Sequence, residues 1–229
     1  MIKRGLSQEV LKLIACFTML IDHIGAALLP QYIWLRYVGR IAFPIYCFLL
    51  AEGIHFTKNP KKYGLRLVIG ALLSEIPFDL ALFGDVTPYY QSVMLTLLIA
   101  FFMAWAMKRT MNPLLRVLIV IPFAVVAEWL RTDYGGMGVM LVALFVLTRE
   151  LPYYWLIQTL IMAPILWMME GMWVEIGRTW IPVEMLALFS MIPIGLYSGQ
   201  KSTQSRGVQT AFYLFYPVHL TILYIVSLL

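Results

Sequence analysis

Charge is scarce in this chain. Acidic and basic residues make up 13% of its 229 residues, against about 25% in soluble domains. Cysteine is nearly absent too. The two that occur, Cys16 and Cys47, sit inside apolar runs and read as small packing residues rather than a disulfide framework. Three histidines, far apart in sequence, carry no metal-ligand spacing. There is no low-complexity tract, no internal repeat and no polar stretch long enough for a second soluble domain. The net charge of +5 is spread between apolar runs, which excludes a nucleic-acid surface. What remains is apolar: 62% hydrophobic residues and a mean hydropathy of +0.83. The expectation is an all-α, polytopic membrane protein in one domain over 1–229. Seven Trp and thirteen Tyr are available for interface belts.

The apolar runs divide into about nine spans, with eight to ten as the range: 10–29, 33–56, 65–83, 92–107, 114–130, 136–148, 153–169, 182–197 and 211–228. The sixth is short and opens on the glycine-rich "DYGGMG". The first run has the basic start of a signal peptide. It continues to Leu29, holds Asp22 and His23, and lacks a small-residue cleavage site, so it reads as a retained span. One set of loops carries Lys3, Arg4, Lys58, Lys61, Lys62, Arg66, Lys108, Arg109, Arg116, Arg149, Lys201 and Arg206. The alternate loops hold only Arg131 and Arg178, beside acids such as Asp85, Asp133, Glu170 and Glu175. By the positive-inside rule the N-terminus is cytoplasmic and the C-terminus outside.

Polar groups inside such spans are functional candidates, because hydrocarbon penalises them. The first span holds Asp22 and His23, and the second Arg36, Arg40, Glu52 and His55. The third holds Glu75 and Asp79, and the ninth His219, after Tyr213, Tyr216 and Pro217. At 1.5 Å per residue, His23 lies roughly 9 Å and Arg40 roughly 10 Å from the outer ends of antiparallel neighbours. Glu75 and Asp79 also fall in the outer half. The expectation is one polar cluster in that half of the bundle. Pro77 and Pro217 are expected to kink their helices.

Lys12 precedes His23 by eleven residues. Eleven helical steps return to within ~20° of one face, ~16 Å further along. A basic anchor at the membrane surface with a histidine deep above it suits a long ligand, phosphates at one end and a reactive group at the other.

The stretches "LKLIACFTMLIDHIG", "RYVGRIAFPIYCFLLAEG", "KKYGLRLVIGALLSEIPFDL" and "FYLFYPVHL", with "DYGGMG" as a weaker middle match, resemble the TraX family of bacterial membrane proteins. TraX of conjugative plasmids is associated with acetylation of the pilin N-terminus. The family looks related to the acyltransferase type 3 membrane enzymes, which share a basic residue, ten intervening residues and a histidine in the first helix. Lys12 and His23 match that spacing.

The resemblance implies a multi-pass protein of the bacterial cytoplasmic (inner) membrane. It would take acetyl-CoA or another acyl-CoA from the cytoplasm and acylate an extracytoplasmic or membrane acceptor: peptide amine, glycan hydroxyl or lipid head group. His23 is then general base or transient acyl carrier. Asp22 and Arg40 complete the catalytic set, although Asp22 points ~100° from His23, a direction that suits holding an arginine. Arg40 or Arg36 either stabilises the oxyanion or pairs with the carboxylates. Glu75, Asp79, Tyr216, His219 and Arg36 are candidates to line the acceptor side. Lys12, Lys58, Lys61, Lys62, Arg66 and His55 are candidates for the donor. The rival reading is a transporter or channel with charges along a permeation path; the inverted repeats common in transporters are not visible. A third is an assembly factor without chemistry.

Overall fold

The computed structural model describes residues 5–169, 171–199 and 206–229. Of the loop charges above, Lys3, Arg4, Glu170 and Lys201 lie outside the described residues. Among the described residues the helices group into nine stretches, close to the expected spans. They are α1 (Gln8–Ala27), α2 with α3 (Trp34–Gly39 and Ala42–Phe56), α4 (Pro60–Phe83), α5 (Val93–Met107), α6 (Pro113–Trp129), α7 (Gly135–Thr148), α8 (Tyr154–Trp167), a 3-10 segment (Val183–Ser190) running into α9 (Met191–Gly195), and α10 (Arg206–Ser227).

Local chemistry explains the boundaries. The Ser7 hydroxyl accepts from the Val10 amide at 3.4 Å and starts α1. Asn59 does the same for Lys62 at 2.9 Å, with Pro60 in the first turn of α4. Asn112 and Pro113 repeat the device at α6. The expected second span is broken at Arg40–Ile41. Pro44 supplies the reason: its ring displaces the carbonyl four residues back, that of Arg40, and it has no N–H to offer.

Two features depart from the expectation. Residues 173–182 form an antiparallel hairpin, β1 (Trp173–Ile176) and β2 (Thr179–Pro182), paired Trp173 to Pro182 and Ile176 to Thr179. Its two-residue turn is Gly177–Arg178, and Gly177 takes φ +67°, a left-handed conformation open to glycine. The eighth span is a 3-10 segment and a single short α-helix, interrupted by Pro193, rather than one regular helix.

Among the described residues three helical stretches are long and apolar enough to cross a membrane: Gln8–Ala27, Trp34–Phe56 and Gly207–Ser227. Val93–Met107, Gly135–Thr148, Tyr154–Trp167 and Val183–Gly195 are apolar but shorter. The helix faces turned away from the core are themselves apolar, including Leu13 and Phe17 on α1, Leu72 and Ile76 on α4, and Ile121 and Val125 on α6. A surface of that kind is covered by lipid rather than water. The interior is packed with Leu11, Ile45, Phe101, Met103, Leu141, Phe145 and Leu220.

α1 packs against α2, α3 and α10, and α10 also lies along α4. α1 and α10 run parallel, since Lys12 meets Phe212 near their starts and His23 meets His219 further along. The end at which α1 begins is called basal here, and the other end distal. Basic loops gather at the basal end. Lys108 Nζ donates to the carbonyls of Ile54 and His55 at 3.0 and 3.1 Å, and Arg149 Nε meets Glu52 Oε1 at 2.6 Å.

Candidate active site

The histidine of α1 meets the histidine of α10. His23 Nδ1 lies 2.6 Å from His219 Nε2, with the two rings nearly parallel. His219 Nδ1 lies 2.7 Å from the Phe215 carbonyl. A carbonyl only accepts, so that Nδ1 carries the hydrogen. Neutral His219 is then bare at Nε2 and accepts from His23 Nδ1–H. The direction of this chain is assigned from its acceptor end, and it leaves the lone pair of His23 on Nε2. Both rings are buried, His23 with 7% of its surface exposed. Tyr216 packs edge-on against both, at 5.8 and 5.6 Å between centroids. Sequence reasoning placed His219 only as a lining residue; the structure puts it in contact with His23.

One residue along α1, Asp22 points to the other side, as its helical offset requires. Its carboxylate receives Arg36 Nη1 at 2.7 Å and Arg40 Nη2 at 2.6 Å. Arg40 Nη1 reaches Glu184 Oε1 at 2.7 Å. Two arginines and two carboxylates thus form a neutral chain joining α1, α2 and the 3-10 segment. The antiparallel count above set His23 and Arg40 at one depth, and Asp22, one residue from His23, meets Arg40 at that level. Gly39 permits the approach, because a Cβ there would run into the Asp22 side chain. Of the two roles open to Arg40, pairing with carboxylates is the one its contacts fill. Glu184 was missed; the signal was an acid at the head of the apolar eighth span, and a charge sum that Asp22 alone leaves positive.

A cavity of about 410 Å³ opens between α1, α3, α4 and α10. Its basal rim carries Lys12 and Arg66, and its inner end is closed by Cys16, Met19, Val93, Met94 and Tyr216. Lys12 Nζ sits over the Phe212 ring at 5.3 Å. Among the described residues neither Lys12 nor Arg66 forms an ion pair with a carboxylate. The Tyr46 hydroxyl donates to Cys16 Sγ at 3.2 Å within the cavity. Met19 is one turn from His23 on α1, and Tyr216 stands between the inner end and the histidine pair. The cavity therefore runs along the face of α1 that joins Lys12 to His23.

Other expected residues lie elsewhere. Glu75 accepts from the Ser92 amide and hydroxyl at 3.0 and 2.7 Å, at the start of α5. Asp79 accepts from the Thr87 amide at 3.0 Å. Both hold the α4–α5 connection rather than joining the arginines. His55 lines a second basal cavity of about 260 Å³ with Lys108, Arg116 and Arg149. Lys58, Lys61 and Lys62 are exposed and line neither cavity.

An apolar helical bundle with a buried histidine pair beside a cation-rimmed cavity is the class that fold and site define. The TraX protein family profile matches residues 7–227. The chain belongs to the TraX family, and with its apolar helices it is a membrane protein. It is 27% identical over 234 residues, 93% of this chain and 92% of the other, to a probable fimbrial assembly protein, FimC of serogroup H1, from Dichelobacter nodosus. It is also 39% identical over 69 residues, 30% of this chain and 26% of the other, to an uncharacterized protein of Rickettsia prowazekii. No solved structure matches the chain.

Proposed function

We propose that this protein is a membrane acyltransferase that moves an acetyl or other short acyl group from acyl-CoA to an extracytoplasmic or membrane-borne amine or hydroxyl. The observation that carries this reading is the cavity running from Lys12 and Arg66 to Tyr216, whose ring packs against the histidine pair. Its volume is that of a small-molecule site. The basic loops at the basal end favour a cytoplasmic location for that end, in a multi-pass protein of the bacterial cytoplasmic membrane. The donor's phosphates bind Lys12 and Arg66, and its pantetheine arm runs up α1 toward Tyr216.

His23 Nε2 takes the proton from the acceptor amine or hydroxyl as that atom attacks the thioester carbonyl carbon. The carbonyl pair moves to oxygen, then returns as the carbon–sulfur bond breaks. The sulfur leaves with the carbon–sulfur bonding pair and receives the proton from His23. In the alternative order His23 Nε2 carries the acyl group first; both orders use the same lone pair. The family's association with pilin acetylation, and a relative named for fimbrial assembly, support a peptide amine as acceptor. A glycan hydroxyl meets the same chemistry.

The test is titration of acetyl-CoA into purified protein in detergent, with Lys12→Ala and His23→Ala in parallel. Micromolar binding is expected in wild type and in His23→Ala, weakened in Lys12→Ala. Slow CoA release is expected to vanish in His23→Ala. Stable wild-type protein that neither binds nor releases CoA overturns the reading.

A further inference from the structure

The inner end of the cavity holds hydrogen-bond donors with nothing to donate to. Ser92 starts α5 without capping it, because its hydroxyl and its amide are both turned to Glu75. The amides of Val93 and Met94, the next two residues, have no backbone partner among the described residues. Both residues are buried and both line the cavity. The Val93 amide is directed at the Tyr216 hydroxyl oxygen without meeting it in a hydrogen bond. Tyr216 is only 4% exposed, and its hydroxyl oxygen has no hydrogen-bond partner among the described residues. Orphaned buried donors of this kind carry a free-energy penalty unless something accepts from them. Free amides at a helix start also favour negative charge.

We infer that the first turn of α5 and the Tyr216 hydroxyl form the oxyanion hole of the transferase, receiving the thioester carbonyl oxygen through the amides of Val93 and Met94 and the phenol. This rests on the acyltransferase reading above and names the groups that stabilise its charged intermediate. The two arginines, held in the ion chain, are not needed for it. As the acceptor attacks, the carbonyl pair settles on this oxygen and the three donors shorten onto it. When the carbon–sulfur bond breaks, the pair returns and the neutral carbonyl leaves. Tyr216 then has two duties: its ring packs the histidine pair and its hydroxyl serves the oxygen.

Two substitutions remove one donor each. Tyr216→Phe deletes only the hydroxyl. Val93→Pro deletes an amide hydrogen along with the valine side chain, at a position where helices accept proline; the preceding Ser92 is already extended, at ψ 158°. Val93→Ala, which keeps the amide, measures the packing loss. Each donor deletion is expected to lower kcat for CoA release about 10²-fold, with the Kd for acetyl-CoA within about twofold of wild type. Val93→Pro is expected to fall at least about tenfold below Val93→Ala.

A readout independent of turnover is the infrared carbonyl band of bound acetyl-CoA labelled with carbon-13 at that carbonyl. In wild type it is expected at lower frequency than in water, and Tyr216→Phe is expected to move it back. Acetyl-CoA bound with its band unshifted, or a shift and kcat that survive both deletions, overturns the hole and leaves the transferase reading standing. No binding by stable wild-type protein overturns both.

Discussion

The distal ion chain and the basal cavity use the same kinds of side chain in opposite ways. Around Asp22, every charge has an opposite charge in contact: Arg36 and Arg40 share the aspartate, and Arg40 also holds Glu184. Around the cavity, Lys12 and Arg66 form no ion pair among the described residues, although Glu9 lies near Lys12 and Tyr213 hydrogen-bonds Arg66, and the Tyr216 hydroxyl is buried without a hydrogen-bond partner. Asp133, in the turn before α7, is near this chain without an ion pair in it: burial pushes its carboxyl up to about 6 even though Arg40 pulls the other way. A saturated network ties helices together, and an unsaturated one waits for a ligand. Burial alone does not separate scaffold from site; completeness of pairing does.

That contrast is broken most severely at His23. His23→Ala is expected to lower CoA release by about 10³-fold or more while leaving donor affinity near wild type, with a modest drop in unfolding temperature because His219 loses its buried partner, checked by turnover beside a melting curve. The ion chain is expected to fail in the other column. Arg40→Ala leaves Glu184 buried without a cation and Asp22 with Arg36 alone, a loss of about 3–5 kcal/mol in a buried pair. Unfolding in detergent should register it, and acetyl-CoA affinity of the surviving folded protein should not.

His219 tests the link between the two histidines. His219→Phe removes the acceptor that orients His23 Nδ1–H and is expected to cost about 10²-fold in kcat with KM for the donor unchanged. His219→Gln, which restores an acceptor oxygen, is expected to recover part of that loss.

Smaller effects sharpen the rim. Lys12→Ala and Arg66→Ala are each expected to weaken acetyl-CoA about tenfold, or about 1.4 kcal/mol, with the loss fading as salt rises. Replacing Lys58, Lys61 and Lys62 together by Gln is expected to change donor affinity by less than about threefold, since none lines the cavity. A larger change would extend the donor's footprint onto the α3–α4 connection.

Much of this was legible in the residues. Capping side chains at Ser7, Asn59 and Asn112 mark helix starts within a few positions, because they satisfy amides that the helix itself leaves open. The depth count set His23 level with Arg40, and the ~100° offset of Asp22 turned it toward an arginine, which is where it meets Arg40. Helical periodicity put Lys12 and His23 on one face, and the cavity follows that face.

What escaped depends on contacts far apart in the chain. Glu184 lies 144 residues from Arg40, and no local pattern joins them. Glu75 and Asp79 share a depth with the arginines, but rotation about the α4 axis aims them at residues 87–92 instead. The hairpin at 173–182 was hidden by length: four-residue strands between apolar runs look like any connector until Gly177 is read as a turn. The orphaned amides of α5 leave no trace in residue type at all, since any residue but proline carries one.

The placement of Lys12 and His23 on a single helix has a further consequence. The separation of anchor and base is set by eleven residues of one rod, roughly 16 Å at 1.5 Å per residue. Helices that slide or loops that lengthen elsewhere in the bundle leave that interval untouched. α1 is thus a gauge built into the protein. Under the proposed chemistry it measures the arm between a donor's phosphates and its thioester, so carriers are sorted by reach before their acyl group is ever inspected.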